Sequence, residues 1–265
     1  MLASAIVYAS LGFLTFPQGE EIGAMSAVAI GKKQEIYVLH RGPKPLMAFD
    51  KDGKFVRSWG EGMFELAHGL RVAPDGSIWT TDNQKNNLRQ FAPDGKLLRT
   101  IEAGFKAPDD LVFASTGEIV VADAGNGRIV RLSPQGKVIA EWGRKGTAPG
   151  EFAAAHGIAI DKQDRIYVAD RGNNRVQVFS LDGKRIGVWT GFGNPFGLIV
   201  VGEQLLVSDG DANRIIHLSL KDGAIAEQWG DGEVLKLPHL MAQDAKGTLY
   251  VAEVNGKRVQ KFKRR

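Results

Sequence analysis

The chain has no cysteine among its 265 residues. Disulfides and thiolate metal sites are therefore excluded, while the compartment stays open, because exported proteins need not carry disulfides. Long apolar runs are nearly as scarce. Residues 2–16 (LASAIVYASLGFLTF) are too short to span a bilayer, and no Lys or Arg precedes them as in a secretory signal. A strong net charge is missing too: 34 Lys and Arg against 30 Asp and Glu leave a formal +4. Basic residues are spread over turns rather than gathered with aromatics, so no nucleic-acid face stands out. The terminal Lys261-Phe262-Lys263-Arg264-Arg265 reads as a solvated tail. A Gly-x-Ser-x-Gly elbow, a phosphate-binding loop, a His-Glu-x-x-His helix and a dinucleotide fingerprint are all absent, which leaves hydride and phosphoryl transfer without support. No interior window reads as a linker.

What the chain does have is glycine, 33 residues dispersed through turns, and an internal repeat. Six copies start near Met25, Ala67, Pro108, Ala155, Pro195 and Pro238. Their second strands are rich in β-branched and aromatic residues, as in Ile36-Tyr37-Val38 and Ile166-Tyr167-Val168. An acid follows in five copies (Asp82, Asp123, Asp170, Asp209, Glu253), usually with an Asn and an Arg soon after. Such side chains bond their own turns more often than they catalyse. Third strands such as Arg175-Val176-Gln177-Val178-Phe179 alternate faces and run into Asp-Gly turns, and fourth strands often finish in Trp-Gly.

This pattern predicts an all-β, six-bladed β-propeller, with residues 1–265 as one domain. The sixth copy stops after its third strand, and an open edge needs a partner. Leu11-Gly12-Phe13-Leu14-Thr15-Phe16-Pro17 resembles a fourth strand, so residues 1–20 are expected to close the ring. That use of the apolar start is favoured over a signal segment.

Three of the chain's five histidines occupy one register of the repeat: His68, His156 and His239, 88 and 83 residues apart. In a six-bladed ring these are alternate blades, which send one imidazole each to a common point. Three neutral imidazoles so placed suit Zn²⁺ and leave a fourth position for water or substrate. The same register holds Ser26, Asp109 and Phe196 in the intervening copies, so the repeat does not itself demand histidine. His40 takes the acid's slot in the first copy, and Arg41 beside it is a candidate to hold a carboxylate at the channel mouth. Asp109 and Asp110 are candidates for a base or for a partner to a histidine, with turn capping as the ordinary alternative. His217, in a third strand, is expected at an exposed or edge position.

Several stretches carry a resemblance: Tyr37-Val38-Leu39-His40-Arg41-Gly42, Ala67-His68-Gly69, Ala107-Pro108-Asp109-Asp110, Ala155-His156-Gly157 and Leu237-Pro238-His239. The repeats resemble NHL repeats, and the chain from about Gly23 onward is similar to bacterial relatives of peptidyl-α-hydroxyglycine α-amidating lyase. The resemblance implies zinc on His68, His156 and His239. It also implies that Arg41 acts on substrate, and that a carbinolamide N–C bond is cleaved to a peptide amide and glyoxylate. The family's catalytic tyrosine aligns with the turn Asp123-Ala124-Gly125-Asn126, where no tyrosine occurs, and its calcium-binding acid aligns with Leu240. Calcium is accordingly not expected. The expected partner is a small-molecule or peptide substrate, acted on by a monomer with no membrane or nucleic-acid contact. Two other readings stay open: a non-catalytic NHL scaffold that binds protein or RNA, and a propeller hydrolase or lactonase with a different metal shell.

Overall fold

Each sequence repeat forms one four-stranded antiparallel sheet, and the inner strands of the six sheets pack side by side around a closed ring. This computed structural model describes residues 8–265. The inner strands are Met25–Ile30, Ala67–Val72, Pro108–Phe113, Ala155–Ile160, Pro195–Val201 and Pro238–Gln243, starting where the repeat places them. The second strands, Ile36–His40 and Ile166–Asp170 among them, are buried along their whole length because neighbouring sheets cover both faces. Fourth strands such as Arg185–Trp189 lie at the periphery and alternate with solvent. Among the described residues, the only helical turn is a 3₁₀ turn at Arg171–Asn173.

The tryptophans that end the fourth strands join neighbouring sheets. Trp59, Trp142 and Trp189 lie against the turn glycines Gly95, Gly183 and Gly223 of the next blade, each at positive φ. A Cβ at Gly223 would come within 2.4 Å of the Trp189 ring, so the turn chemistry and the seam both require glycine.

Residues near the N-terminus complete the sixth blade, as expected, although the strand begins earlier than its resemblance to other fourth strands suggested. It runs from Tyr8 to Phe13 and pairs antiparallel with Arg258–Arg264. Blade six has no hairpin turn to cover Trp229, and the Tyr8 ring stacks on that indole instead, 4.6 Å between centroids. Phe16 has left the strand and packs on Phe49 of blade one. The signal-segment reading concerned residues 2–16, of which 2–7 lie outside the described residues.

Two features of the backbone set up the site. First, every inner strand slips register immediately after its first paired residue, at Met25/Ala27, Ala67/Leu70, Pro108/Asp110, Ala155/Ile158, Pro195/Leu198 and Pro238/Met241. A bulge re-aims the residue it frees, and here those residues are Ser26, His68, Asp109, His156, Phe196 and His239. Second, in five blades the acid ending the second strand ties down the loop that leads into the inner strand. Asp170 accepts from Ala153 N at 3.0 Å and pairs with Arg175 at 2.8 Å. Asp82, Asp123, Asp209 and Glu253 make the same double tie with Arg89, Arg128, Arg214 and Arg258.

Blade one has no such arginine. Its slot holds His40, which accepts from Gly23 N and Gly42 N through Nδ1 at 3.2 and 3.0 Å, and burial keeps the imidazole neutral. A neutral acceptor replaces a carboxylate where the arginine that pairs with the acid in the other blades is missing.

Candidate metal centre

The six re-aimed residues are buried around the axis at one level. The rings of His68, His156 and His239 form a nearly equilateral triangle, with centroids 4.8, 4.9 and 4.9 Å apart. One ring nitrogen from each lies within 4.8 Å of the others. The spacing rule that predicted convergence therefore holds in space.

Each histidine is oriented by the blade that follows it. His68 Nδ1 bonds the Asp109 carbonyl at 2.8 Å, His156 Nδ1 the Phe196 carbonyl at 2.9 Å, and His239 Nδ1 the Ser26 carbonyl. A carbonyl only accepts, so all three Nδ1 atoms carry the proton and all three Nε2 atoms present a lone pair. No hydrogen bond reaches those Nε2 atoms among the described residues, and Nε2 of His156 is buried outright. The glycines after two of the histidines permit the approach: a Cβ at Gly157 would stand 2.2 Å from the Phe196 carbonyl oxygen, and one at Gly69 2.7 Å from that of Asp109.

Burial lowers the proton affinity of all three rings, for His68 down to about 3, with the Arg41 charge as the next cause. They are neutral imidazoles at any physiological pH. Neutral, oriented, inward-facing Nε2 donors suit a divalent transition metal, and their Nδ1–carbonyl bonds are the usual outer partners of ligating histidines. By donor type, orientation and burial, these residues fit a zinc ion.

Asp109 joins this cluster. Its carboxylate lies 3.7 Å from His68 Nε2 and 3.9 Å from His156 Nε2, and it accepts a hydrogen bond from Asn83 Nδ2. Burial raises its pKa to about 7, against the lowering effects of Asn83, Arg171 and Arg41. Asp110 points the other way. It is fully buried and pairs through both oxygens with Arg71, which also donates to the Ile158 carbonyl at 3.0 Å. Arg71 thereby reaches across the axis below the histidines, and it lines a separate cavity of about 440 Å³ at the far mouth. Asp110 thus belongs to this ion pair and is not the base expected beside a histidine.

Arg41 stands at the histidine mouth, its Nε donating to Ser26 Oγ at 3.1 Å, beside a crevice of about 300 Å³ that includes Glu61 and Phe64. Sequence reasoning missed a second guanidinium, Arg171. It lies 4.8 Å above the Phe196 ring, whose edge meets His156 and His239, and its charge acts on all three histidines. The signal was available. Arg41, Asn83 and Arg171 each directly follow the slot that ends a second strand, so one register supplies both arginines and the partner of Asp109. His217 is a correction: it is fully buried, because Tyr8 and Trp229 close over it. Leu240 sits in an apolar cluster with Leu39 and Leu70.

Comparison with known proteins agrees with this architecture. The family described as NHL repeat matches residues 152–179, which is most of blade four. NHL repeat-containing protein 3 of Mus musculus is 30% identical over 292 residues, covering 94% of this chain and 82% of its own length. The chain belongs to the NHL-repeat family. Peptidyl-alpha-hydroxyglycine alpha-amidating lyase 1 of Drosophila melanogaster is 26% identical, over 91% of this NHL protein and 57% of itself. Peptidyl-glycine alpha-amidating monooxygenase of Mus musculus is 31% identical over 180 residues, and the match spans 18% of that protein's length. Two solved structures share the fold at low identity. They are virginiamycin B lyase from Staphylococcus aureus (TM-score 0.70, 16% identical, 97% of this chain and 98% of that one) and a gluconolactonase from Xanthomonas campestris (0.73, 16%, 97% and 89%).

Proposed function

We propose that this protein is a zinc-dependent lyase that cleaves the carbinolamide N–C bond of a peptidyl-α-hydroxyglycine-type substrate. One observation carries the reading: three neutral imidazoles, each held through Nδ1 by the next blade, face one point with Nε2 otherwise unused. The amidating lyases among the relatives support the choice of reaction. A bound Zn²⁺ would supply Lewis acidity, polarising a substrate oxygen and making its hydroxyl easier to deprotonate.

The remaining work falls to side chains of this chain. Arg41 and Arg171 flank the cluster and hold the substrate carboxylate, offsetting negative charge that develops beside it. Asp109 accepts the hydroxyl proton, a role suited to a buried carboxylate whose proton affinity has been raised. As that hydroxyl becomes the aldehyde of glyoxylate, the C–N bond breaks, and the nitrogen takes up a proton and leaves as the amide. The turn Asp123–Asn126 offers no phenol for this transfer, and Asp109 takes that role in this reading.

The test is metal content followed by turnover. Purified protein is expected to carry about one zinc per chain, and a His68→Ala, His156→Ala, His239→Ala variant none. The zinc-loaded protein is expected to release glyoxylate from an α-hydroxyglycine peptide, with KM raised in Arg41→Ala. A wild-type protein that takes up no added zinc, or a loaded one that yields no glyoxylate, would sink the proposal.

A further inference from the structure

Of the six residues aimed at the axis, three are the histidines, and the other three differ sharply in what they offer. Phe196 has no donor atom. Ser26 Oγ is committed, donating to the Ala67 carbonyl at 2.8 Å and accepting from Arg41. Asp109 alone combines a donor atom with freedom to use it. Asn83 holds Oδ1, whereas Oδ2 accepts no hydrogen bond from the described residues and faces His156 Nε2 at 3.9 Å.

We propose that Asp109 is the fourth donor of the metal shell in the substrate-free protein, making the site three histidines and one carboxylate. The inference rests on the metal reading above. Its geometry follows from register: Asp109 occupies in blade three the position that His68 and His156 occupy in blades two and four, so the same bulge aims it at the same point. Its separations of 3.7 and 3.9 Å from their Nε2 atoms approach the roughly 3.3 Å between donors in a tetrahedral shell with bonds near 2 Å.

Charge argues the same way. Three neutral imidazoles leave the two positive charges of a divalent ion wholly uncompensated, in a buried place that Arg41 and Arg171 already make positive. An ion buried there needs an anionic partner, and Asp109 is the carboxylate touching two of the three histidines. Held by a single Asn83 bond, it can also give way to a substrate oxygen.

The experiment is titration of the metal-free protein with Co²⁺ and with Zn²⁺, read by calorimetry and by the visible absorption of the cobalt form. Wild type is compared with Asp109→Ala, Asp109→Asn and Asn83→Ala. Both Asp109 variants should bind about 100-fold more weakly and show an altered cobalt spectrum, while Asn83→Ala, which loosens the carboxylate without removing it, should lose about 10-fold. Asp109→Asn keeps the shape of the side chain, so metal-free melting at or above the wild-type temperature shows that its fold is intact. Asp109 variants with wild-type affinity and spectrum would overturn this inference and leave the three-histidine reading standing. A wild-type protein that binds neither ion would overturn both.

Discussion

Asp170 and His156 are near neighbours, since Asp170 pairs across the sheet with Ala155, and both are almost wholly buried, yet the molecule treats them oppositely. The Asp170 carboxylate is saturated. Ala153 N reaches Oδ1, and Asn173, Arg175 and Gln177 reach Oδ2 at 2.8, 2.8 and 3.1 Å. His156 has one bond at Nδ1 and an Nε2 with no hydrogen-bond partner among the described residues. Buried polar groups are nearly always paired, so the exception asks for an explanation. Burial does not separate the two residues. Hydrogen-bond satisfaction does, and it separates the Asp170 carboxylate that braces a loop from the His156 imidazole that faces the axis.

The strongest way to sharpen this contrast is to remove the acid. Asp170→Ala leaves Arg175 charged and nearly buried, together with the freed N–H groups of the inner-strand loop. Breaking such a pair from one side costs about 3–5 kcal/mol, measurable by urea unfolding of the metal-free protein. A loss below about 1 kcal/mol would mean that the tie contributes little and that the contrast drawn here is empty.

An intermediate effect is expected at His217, a third kind of buried side chain. Both of its nitrogens are engaged, by Gln204 and Trp229, but neither partner is charged. Burial lowers its pKa to about 4. The unfolded chain titrates near the ordinary value of about 6.5, so between those values the proton is taken up on unfolding. The stability His217 contributes is therefore present above pH 6.5, falls as the pH drops toward 4 and is gone below. The difference in unfolding free energy between wild type and His217→Gln should shrink by about 2–3 kcal/mol over that range. A difference independent of pH would place His217 in contact with solvent, against its position under Tyr8.

How much of this was legible beforehand depended on whether a feature repeats. Inner-strand starts, Asp-Gly turns and Trp-Gly ends recur, so the six blades could be placed residue by residue, and the histidines stood out because they recur at every second blade. The bulge that turns those residues inward is a matter of backbone register and leaves no composition signal. Arg171 was missed because an arginine after an acid looks like one more turn residue; only the equivalence of its slot with that of Arg41 marks it. His217 was misjudged because its cover, Tyr8, comes from the opposite end of the chain and pairs through blade closure. The plug formed by Arg71 and Asp110 joins neighbouring blades, 39 residues apart, and a repeat pattern does not specify what fills the channel.

The smallest expected change is the most discriminating. In His156→Asn the carboxamide nitrogen can take over the place of Nδ1 and keep the bond to the Phe196 carbonyl, while the unpartnered Nε2 is removed. Losing ring packing destabilises the protein, but deleting a buried orphan acceptor recovers a desolvation cost of about 1–3 kcal/mol. The metal-free variant should therefore unfold within about 1 kcal/mol of wild type, even though His156 is as buried as Asp170. Zinc uptake should fail in the same preparation. A metal-free loss comparable to that of Asp170→Ala would show that His156 braces the ring as the acids do. Its unused nitrogen would then be an accident of packing rather than the mark of a site.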